Sequence, residues 1–542
     1  MQGSIISLLK KHNISNPLLE IPPSPEMGDY AFPCFTLAKE FKKSPMEIAK
    51  DLESKIKPQG DIEKIQALGP YLNFFLDKSK RASLVLKKIL KEKDKYGSKN
   101  LGKKQKFLIE HTSINPNASP HLGRARNAIL GDSITRILRF QGYNPEVHYF
   151  VNDVGKQIAL LVLGCKSSTT FKELLDIYIK MNKKLEQDPE IEKSVFQLLK
   201  KFEEGDKPTI KKFRKTVDIC INGQKKIFEQ MGIKYDFFDY ESKYLFDKST
   251  AKILESLKKT KYLFEDEDSR MVLNQKDFNL PMESPFLVLT RNDKTSLYPL
   301  RDLAYTLDKM ERSKKNLIVL GEDQKLYFQQ LKAALAVLKK PSPEVIHYSF
   351  VLLSGGKKMS TRKGNLVLLE DFLKEAFLKA ESKSNKKIAK SVANSAIKYS
   401  FLKVSIDKNV LFNWSQALSF EGDTGPYLQY TYARSASILK KAKVSATTAD
   451  LSLLKEPSEI ELIKKLSLFP DLVEKASLTY QPHLIANYLF PLCQNFNEFY
   501  HKNPVIKAEP KLKASRLILV KSFNQTLKNS LNLLGIESLE SM

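Results

Sequence analysis

Between Phe107 and Val151 the apolar positions change period twice. Phe107, Leu108 and Ile109 form a short continuous apolar run, the pattern of a buried strand, and Thr112 to Ser119 is a polar loop. Ser119 and Pro120 then read as the N-cap and first position of a helix. Leu122, Ala125 and Ile129 make one ridge of that helix, and Leu130, Ile134, Ile137 and Leu138 make another, before Gly142 ends it and Val147 to Val151 resumes as a strand. The same alternation returns downstream: Asn316 to Leu320 is a strand ending in Gly-Glu-Asp-Gln, Lys325 to Leu338 is a helix, and Tyr348 to Leu353 then leads into a cationic loop.

These units predict a doubly wound α/β domain over residues 100–365, with its ligand crevice at the carboxyl ends of the strands. Residues 166–252 interrupt it with Lys/Glu-rich sequence of helical pattern, an expected insertion. Residues 1–99 read as a small α/β domain closed by the lysine-rich linker KEKDKYGSKNLGKK, residues 366–419 as a helical connector, and residues 420–542 as an all-α domain. Leucine and tyrosine at helical spacing in that last region are mostly core.

Composition narrows the class. A chain of 542 residues with 42% hydrophobic residues can build several cores. No run approaches the ~18 to 20 apolar residues needed to span a bilayer, and Met1 to Lys11 has no apolar stretch followed by a cleavage site. The expected compartment is therefore the cytosol. Cys34, Cys165, Cys220 and Cys493 are far apart, without CxxC or His pairing, so they predict neither a zinc site nor disulfides but small buried residues. The net charge of +27 points toward a polyanion. Only 13 of the 89 basic residues are Arg, however, and Lys is spread through almost every segment. The scarce arginines are more telling, and Arg124, Arg126, Arg301, Arg362 and Arg434 all fall within distinctive strings.

Two segments carry candidate chemistry. A helix N-terminus offers unpaired N–H groups and positive dipole to an anion, and His121 and Arg124 at i, i+3 share its exposed face. Gly123 between them lets a ligand approach the backbone. Residues 355–364 put Lys357, Lys358, Arg362 and Lys363 with Ser360 and Thr361 between Gly355-Gly356 and Gly364. That is the composition of a polyphosphate clamp, or of a solvated basic turn.

Together HLGR at His121 to Arg124 and KMSTR at Lys358 to Arg362 resemble the paired HIGH and KMSKS signatures of class I aminoacyl-tRNA synthetases. The strings EHTSINPN, RNAILGDS, NDVGKQI, YPLRDLAY, MSTRKGN and DTGPYLQYTYAR, in that order, resemble the arginyl-tRNA synthetase family over the whole chain, closer to archaeal and some bacterial forms. The resemblance implies ATP-dependent ligation of L-arginine to tRNA(Arg) through arginyl-adenylate, releasing AMP and pyrophosphate, with Mg²⁺ accompanying ATP and the enzyme a monomer. It implies that residues 1–99 grip the tRNA elbow and that residues 420–542 bind the anticodon.

A guanidinium presents five donors in a planar fork, so its site should hold a carboxylate. The resemblance assigns Asp302 and Tyr298 to the guanidinium, Gln324 to the pocket lining, and Glu110, Ser113 and Asn115 to the α-amino and carboxylate end. It assigns His121, Gly123, Arg124, Lys358, Met359, Ser360 and Lys363 to ATP, with His121, Arg124, Lys358 and Arg362 catalytic. Two departures stand out: Arg124 where the family usually has His, and Thr361 where the KMSKS pattern has Lys. A nucleotidyltransferase with the same ATP site on a small acceptor, or a catalytically weak RNA-binding paralogue, are the alternatives.

Overall fold

The computed structural model describes residues 2–353, 367–442 and 449–542. Its contacts gather into two compact units, one made of residues 1–96, 435–469 and 492–526, the other of residues 97–434, 470–491 and 527–542.

In the first unit, β1 (Tyr30–Pro33), β2 (Ile62–Leu68) and β3 (Tyr71–Leu76) form an antiparallel sheet in the order β1-β3-β2. The helix Pro45–Lys55 covers it, opened by a capping box in which Ser44 accepts from the Glu47 N–H while the Glu47 side chain accepts from the Ser44 N–H. Its apolar face delivers Ile48 and Leu52 onto Phe32 and Phe74. In the unit's helical part, Phe496 stacks on Phe523 with centroids 3.9 Å apart, and buried Arg516 pairs with buried Glu459 at 2.7 Å.

The second unit is built on a five-stranded, wholly parallel sheet. Its strands are β4 (Lys106–Glu110), β5 (Asn144–Val151), β6 (Phe237–Tyr240), and, after the small antiparallel sheet β7 (Leu263–Glu265), β8 (Met271–Asn274) and β9 (Phe286–Val288), β10 (Asn316–Gly321) and β11 (Glu344–Tyr348). The order is β11-β10-β4-β5-β6. From β4 the chain winds outward through β5 and β6, then returns to the other side for β10 and β11. The switch point of the topology thus lies between β4 and β10, where the loops leaving both strands open a crevice. The doubly wound α/β fold expected from the alternation is present.

Four details differ from the sequence reading. The helix expected from Ser119-Pro120 runs Leu122–Phe140, with His121 as an extended N-cap residue (φ −82°, ψ 157°). Residues 120–122 are drawn out because they pair with 367–369: the Leu122 N–H donates to the Val367 carbonyl, and the Leu369 N–H to that of Pro120. The stretch 166–252 is helical over Leu174–Gln187, Pro189–Glu203 and Lys207–Gln230, but Phe237–Tyr240 is a strand of the central sheet. Four aromatic-rich residues between lysine-rich helices are too short a run to show a period. Likewise the connector 366–419 holds β13 (Val410–Phe412), parallel to β12 (Val351–Leu353). Among the cysteines, Cys34, Cys220 and Cys493 are buried but Cys165 is only half-buried. Among the described residues no helix is long and apolar enough to cross a membrane.

Candidate active site

The loop leaving β4 is strained. Thr112 and Ser113 have φ of +75° and +40°, a conformation that non-glycine residues adopt only when their surroundings impose it. The constraints are visible. The Asn127 side chain accepts from the Thr112 N–H at 2.7 Å and donates to the Val319 carbonyl of β10 at 2.8 Å, so it ties the turn to the neighbouring strand. The Thr112 hydroxyl meets His111 Nδ1 and the Tyr235 hydroxyl, both at 2.8 Å. His111 is buried against Gly131, where any Cβ would collide with the imidazole. Burial lowers the His111 pKa to about 4, so this ring is neutral.

Around that turn lie the residues expected to hold the amino acid. Glu110 ends β4, buried, with one oxygen paired to the ammonium of buried Lys309 and the other accepting from Ser113 Oγ at 3.2 Å. Its charge is therefore already compensated inside the protein. Ser113 Oγ also accepts from the Phe150 N–H at 3.1 Å. Asn115 is exposed and donates to Gln157 Oε1 at 3.2 Å, which joins the strings EHTSINPN and NDVGKQI in one wall.

Asp302 is different. It lies one turn after Tyr298 on the helix Tyr298–Arg312, and its carboxylate accepts from the Tyr327 hydroxyl at 2.8 Å. It has no ion-pair partner within 4 Å among the described residues. Desolvation, opposed by the Lys309 charge and reinforced by that of Glu110, raises its pKa to about 6. Nearby Glu241, buried and bound to Arg301 at 2.5 Å, is pushed up to about 7 by burial, and its second oxygen has no partner. The Tyr298 ring, about half exposed, lies 5.2 Å from that of Tyr327 and forms the outer lip. Local anionic charge thus exceeds cationic charge beside an open, half-aromatic wall. This is a place for a cationic ligand.

The residues expected to face phosphate lie at the N-terminus of Leu122–Phe140. Burial, then the positive charge of Arg124, lower the His121 pKa to about 4, while Asp323 opposes them. His121 is neutral, and its Nδ1 is buried without a hydrogen-bond partner among the described residues. The Arg124 guanidinium, half-buried, has no hydrogen bond or ion pair among the described residues, and half-buried Gly123 lies between the two. Across the crevice stands the turn Glu322–Gln324 at the end of β10; there the Gln324 side chain donates to Asp323 at 3.4 Å and, among the described residues, to nothing else. Lys358, Met359, Ser360, Arg362 and Lys363, the expected contributors from the second signature, lie outside the described residues.

Sequence reasoning missed several members of this site. Lys309 follows Asp302 by two helical turns and so shares its face, a spacing that was legible. Tyr327 carried no signal, since a tyrosine within an apolar helical pattern looks like any other, and Asn127 lay within the string RNAILGDS with nothing to show what its amide binds. Arg126, noted for its rarity, is fully buried and donates to the carbonyls of Ser349, Ser405 and Lys408 at 2.5 to 2.9 Å. It anchors the segment that leads into residues 354–366.

Comparison with known proteins agrees with this geometry. The family described as tRNA synthetases class I (R), catalytic domain, matches residues 85–414; the DALR anticodon binding domain matches 428–542, and the arginyl tRNA synthetase N terminal domain 2–76. A protein of Methanocaldococcus jannaschii named arginine–tRNA ligase is 38% identical, the match covering 96% of this chain and 94% of the relative. Another of that name from Clostridium perfringens is 36% identical over 98% and 97% of the two chains. The structure of Thermus thermophilus arginyl-tRNA synthetase superposes with a TM-score of 0.85 at 28% identity, covering 100% of this chain and 99% of that one. With the parallel sheet, its switch-point crevice and the signature helix in place, this chain belongs to the arginyl-tRNA synthetase family of class I.

Proposed function

We propose that the protein ligates L-arginine to tRNA(Arg) using ATP, and that the observation carrying this reading is Asp302: a partly buried carboxylate with a phenol and, among the described residues, no cation for a partner, beside an aromatic lip. A guanidinium would supply the opposing charge. Tyr298 would cover it, Gln324 would line the pocket, and Ser113, Asn115 and Glu110 would orient the α-amino and carboxylate end. Because Lys309 already neutralises Glu110, its part is to hold Ser113 and the strained turn in place as much as to meet the ammonium.

In the first step the α-carboxylate attacks the α-phosphorus of ATP, giving arginyl-adenylate and pyrophosphate; in the second, the terminal ribose hydroxyl of the tRNA attacks the activated carbonyl and AMP leaves. No side-chain nucleophile is required, so catalysis rests on positioning and on stabilising charge at phosphorus. His121, Gly123 and Arg124 meet the triphosphate at the helix N-terminus, and Lys358, Met359, Ser360, Arg362 and Lys363 meet it from the other signature. A neutral His121 can donate one hydrogen bond without adding charge, while Arg124 supplies the permanent cation. Mg²⁺ would accompany ATP and offset the charge of its phosphates.

Residues 1–99 would hold the tRNA elbow and 420–542 the anticodon, with the protein acting as a cytosolic monomer. The test is aminoacylation of tRNA with arginine, lysine and citrulline in parallel. Citrulline has arginine's shape without its charge, so charging confined to arginine is expected; equal charging of citrulline would remove the carboxylate-based reading.

A further inference from the structure

The loop between β4 and the signature helix is held almost entirely by side chains, and one of them comes from the inserted helices. Gln224, 1% exposed, sits on the inner face of the helix Lys207–Gln230. Its amide nitrogen donates to the Ala118 carbonyl at 2.9 Å and to that of Asn115 at 3.3 Å. Its amide oxygen accepts from the Tyr149 hydroxyl at 2.7 Å, and that hydroxyl accepts in turn from the Ile114 N–H at 3.1 Å. One amide thereby fixes both the amino-acid end of the loop and the residue three before the His121 N-cap. We propose that Gln224 is a positioning residue that sets the amino-acid end of this loop relative to the phosphate end, which makes the insertion a wall of the active site. This rests on the assignment of Asn115 and Asp302 to the arginine pocket.

The two ends of the loop differ in what else supports them. Pro120 and Leu122 are pinned independently by backbone hydrogen bonds to Leu369 and Val367. On the Asn115 carbonyl, beside the Asn117 N–H that belongs to the same loop, the one contact from outside the loop among the described residues is Gln224, and on its side chain it is Gln157. Loss of the Gln224 donor therefore releases the arginine end and leaves the phosphate end in place. Displacing a reacting group by about 1 Å costs roughly 100-fold in rate.

The substitution Gln224→Glu keeps the shape and the acceptor for Tyr149, but turns the donor into an oxygen facing two carbonyls. Protonation restores a donor, and burial raises the pKa of such a carboxyl. Tyr149, Tyr235 and Cys220, which pack around the site, are all pushed upward by burial, and His111 is held down near 4; none of these titrates between about pH 6 and 8.5, and the Arg124 guanidinium is a permanent cation.

The experiment measures kcat and KM for arginine and for ATP in the parent, Gln224→Leu, Gln224→Glu and Asp302→Asn, the Glu variant from about pH 6 to 8.5 as a ratio to the parent. Expected are a fall of roughly 10- to 100-fold in kcat/KM for arginine in both Gln224 variants with the ATP KM within about twofold, and a Glu-to-parent ratio that climbs as the pH drops. Parent-like arginine kinetics in Gln224→Leu overturn the proposal, as do equal losses toward arginine and ATP. If the Leu variant does not fold, a flat pH ratio for Gln224→Glu overturns it alone. Should Asp302→Asn also be parent-like, the pocket assignment itself falls; should Asp302→Asn alone be impaired, the pocket stands and only the role of Gln224 is lost.

Discussion

Replacing Asp302 by Asn should move stability and activity in opposite directions. In the free protein this carboxylate carries its charge without a cation, and desolvation raises its pKa from 3.8 to about 6. A displacement of that size corresponds to roughly 3 kcal/mol of penalty for the ionised form, an upper bound because the side chain is not fully enclosed. The sign follows from proton binding. Between about pH 6 and 3.8 the folded protein holds the proton more tightly than the unfolded chain, so this residue's contribution favours folding as the pH falls and opposes it fully at neutral pH. Asn keeps an oxygen to accept from Tyr327 and removes the charge, and should raise the melting temperature at pH 7.5 by about a degree or more. With arginine the balance inverts. Loss of the charge opposite a buried guanidinium should cost on the order of 2 to 4 kcal/mol in kcat/KM, roughly 30- to 1,000-fold, with ATP affinity little changed. Steady-state aminoacylation and scanning calorimetry on the two proteins decide it. Arginine kinetics within about threefold of the parent, under ~0.7 kcal/mol, would refute the reasoning; so would a large loss of activity shown to come from a lower melting temperature. In the parent, the arginine KM should also rise as the pH drops below about 6, because the proton and the guanidinium compete for one carboxylate.

Arg124→Ala should lose roughly 10- to 1,000-fold in kcat, the range for removing a charge-stabilising donor, and Arg124→His should recover most of it; equal turnover by all three in single-turnover assays would show that residue 124 makes no contact in the transition state. Lys309→Met leaves buried Glu110 without its cation and should cost about 3 to 5 kcal/mol of stability, whereas the double variant with Glu110→Gln should regain much of it, as denaturant titration would record. Removing residues 533–542 takes acceptors from Ser133, Lys398 and Gln429, which donate to the carbonyls of Leu533, Gly535 and Glu537 at 2.6 to 2.9 Å; the buried Lys398 ammonium loses its closest partner, and the melting temperature should fall by several degrees. For the same reason a truncation before Phe420 should not leave a native catalytic unit, since residues 470–491 and 527–542 belong to it.

The fold was legible where period and length were both available. Phe107 to Val151 showed a strand, a 19-residue helix and a strand because each is long enough for its own periodicity to appear, and Asn316–Gly321 with the helix after it followed from the same pattern, whereas the edge strand Glu344–Tyr348 did not. What escaped was short. Phe237–Tyr240 and Val410–Phe412 are strands of four and three residues whose identity is decided by the neighbours they pair with, not by anything within them.

The site divides along a similar line, and the division has a physical basis. The residues proposed to face a ligand, such as Asp302, His121 and Asn115, lie within strings whose composition is improbable, as expected where a ligand's chemistry restricts them one by one. Residues that hold those in place are restricted only by geometry. Gln224 is one amide in a lysine-rich helix, where nothing in the local pattern marks it; Asn127 falls within the string RNAILGDS, but the string does not show which groups its amide meets. Their importance comes from carbonyl and N–H groups that the strained turn at Thr112 and Ser113 cannot satisfy within itself, and that buried backbone cannot leave unpaired. A turn that departs from regular structure transfers its hydrogen-bonding needs to side chains elsewhere in the chain, at separations of 15 residues for Asn127 and 106 for Gln224. Only the folded arrangement shows which side chains meet them.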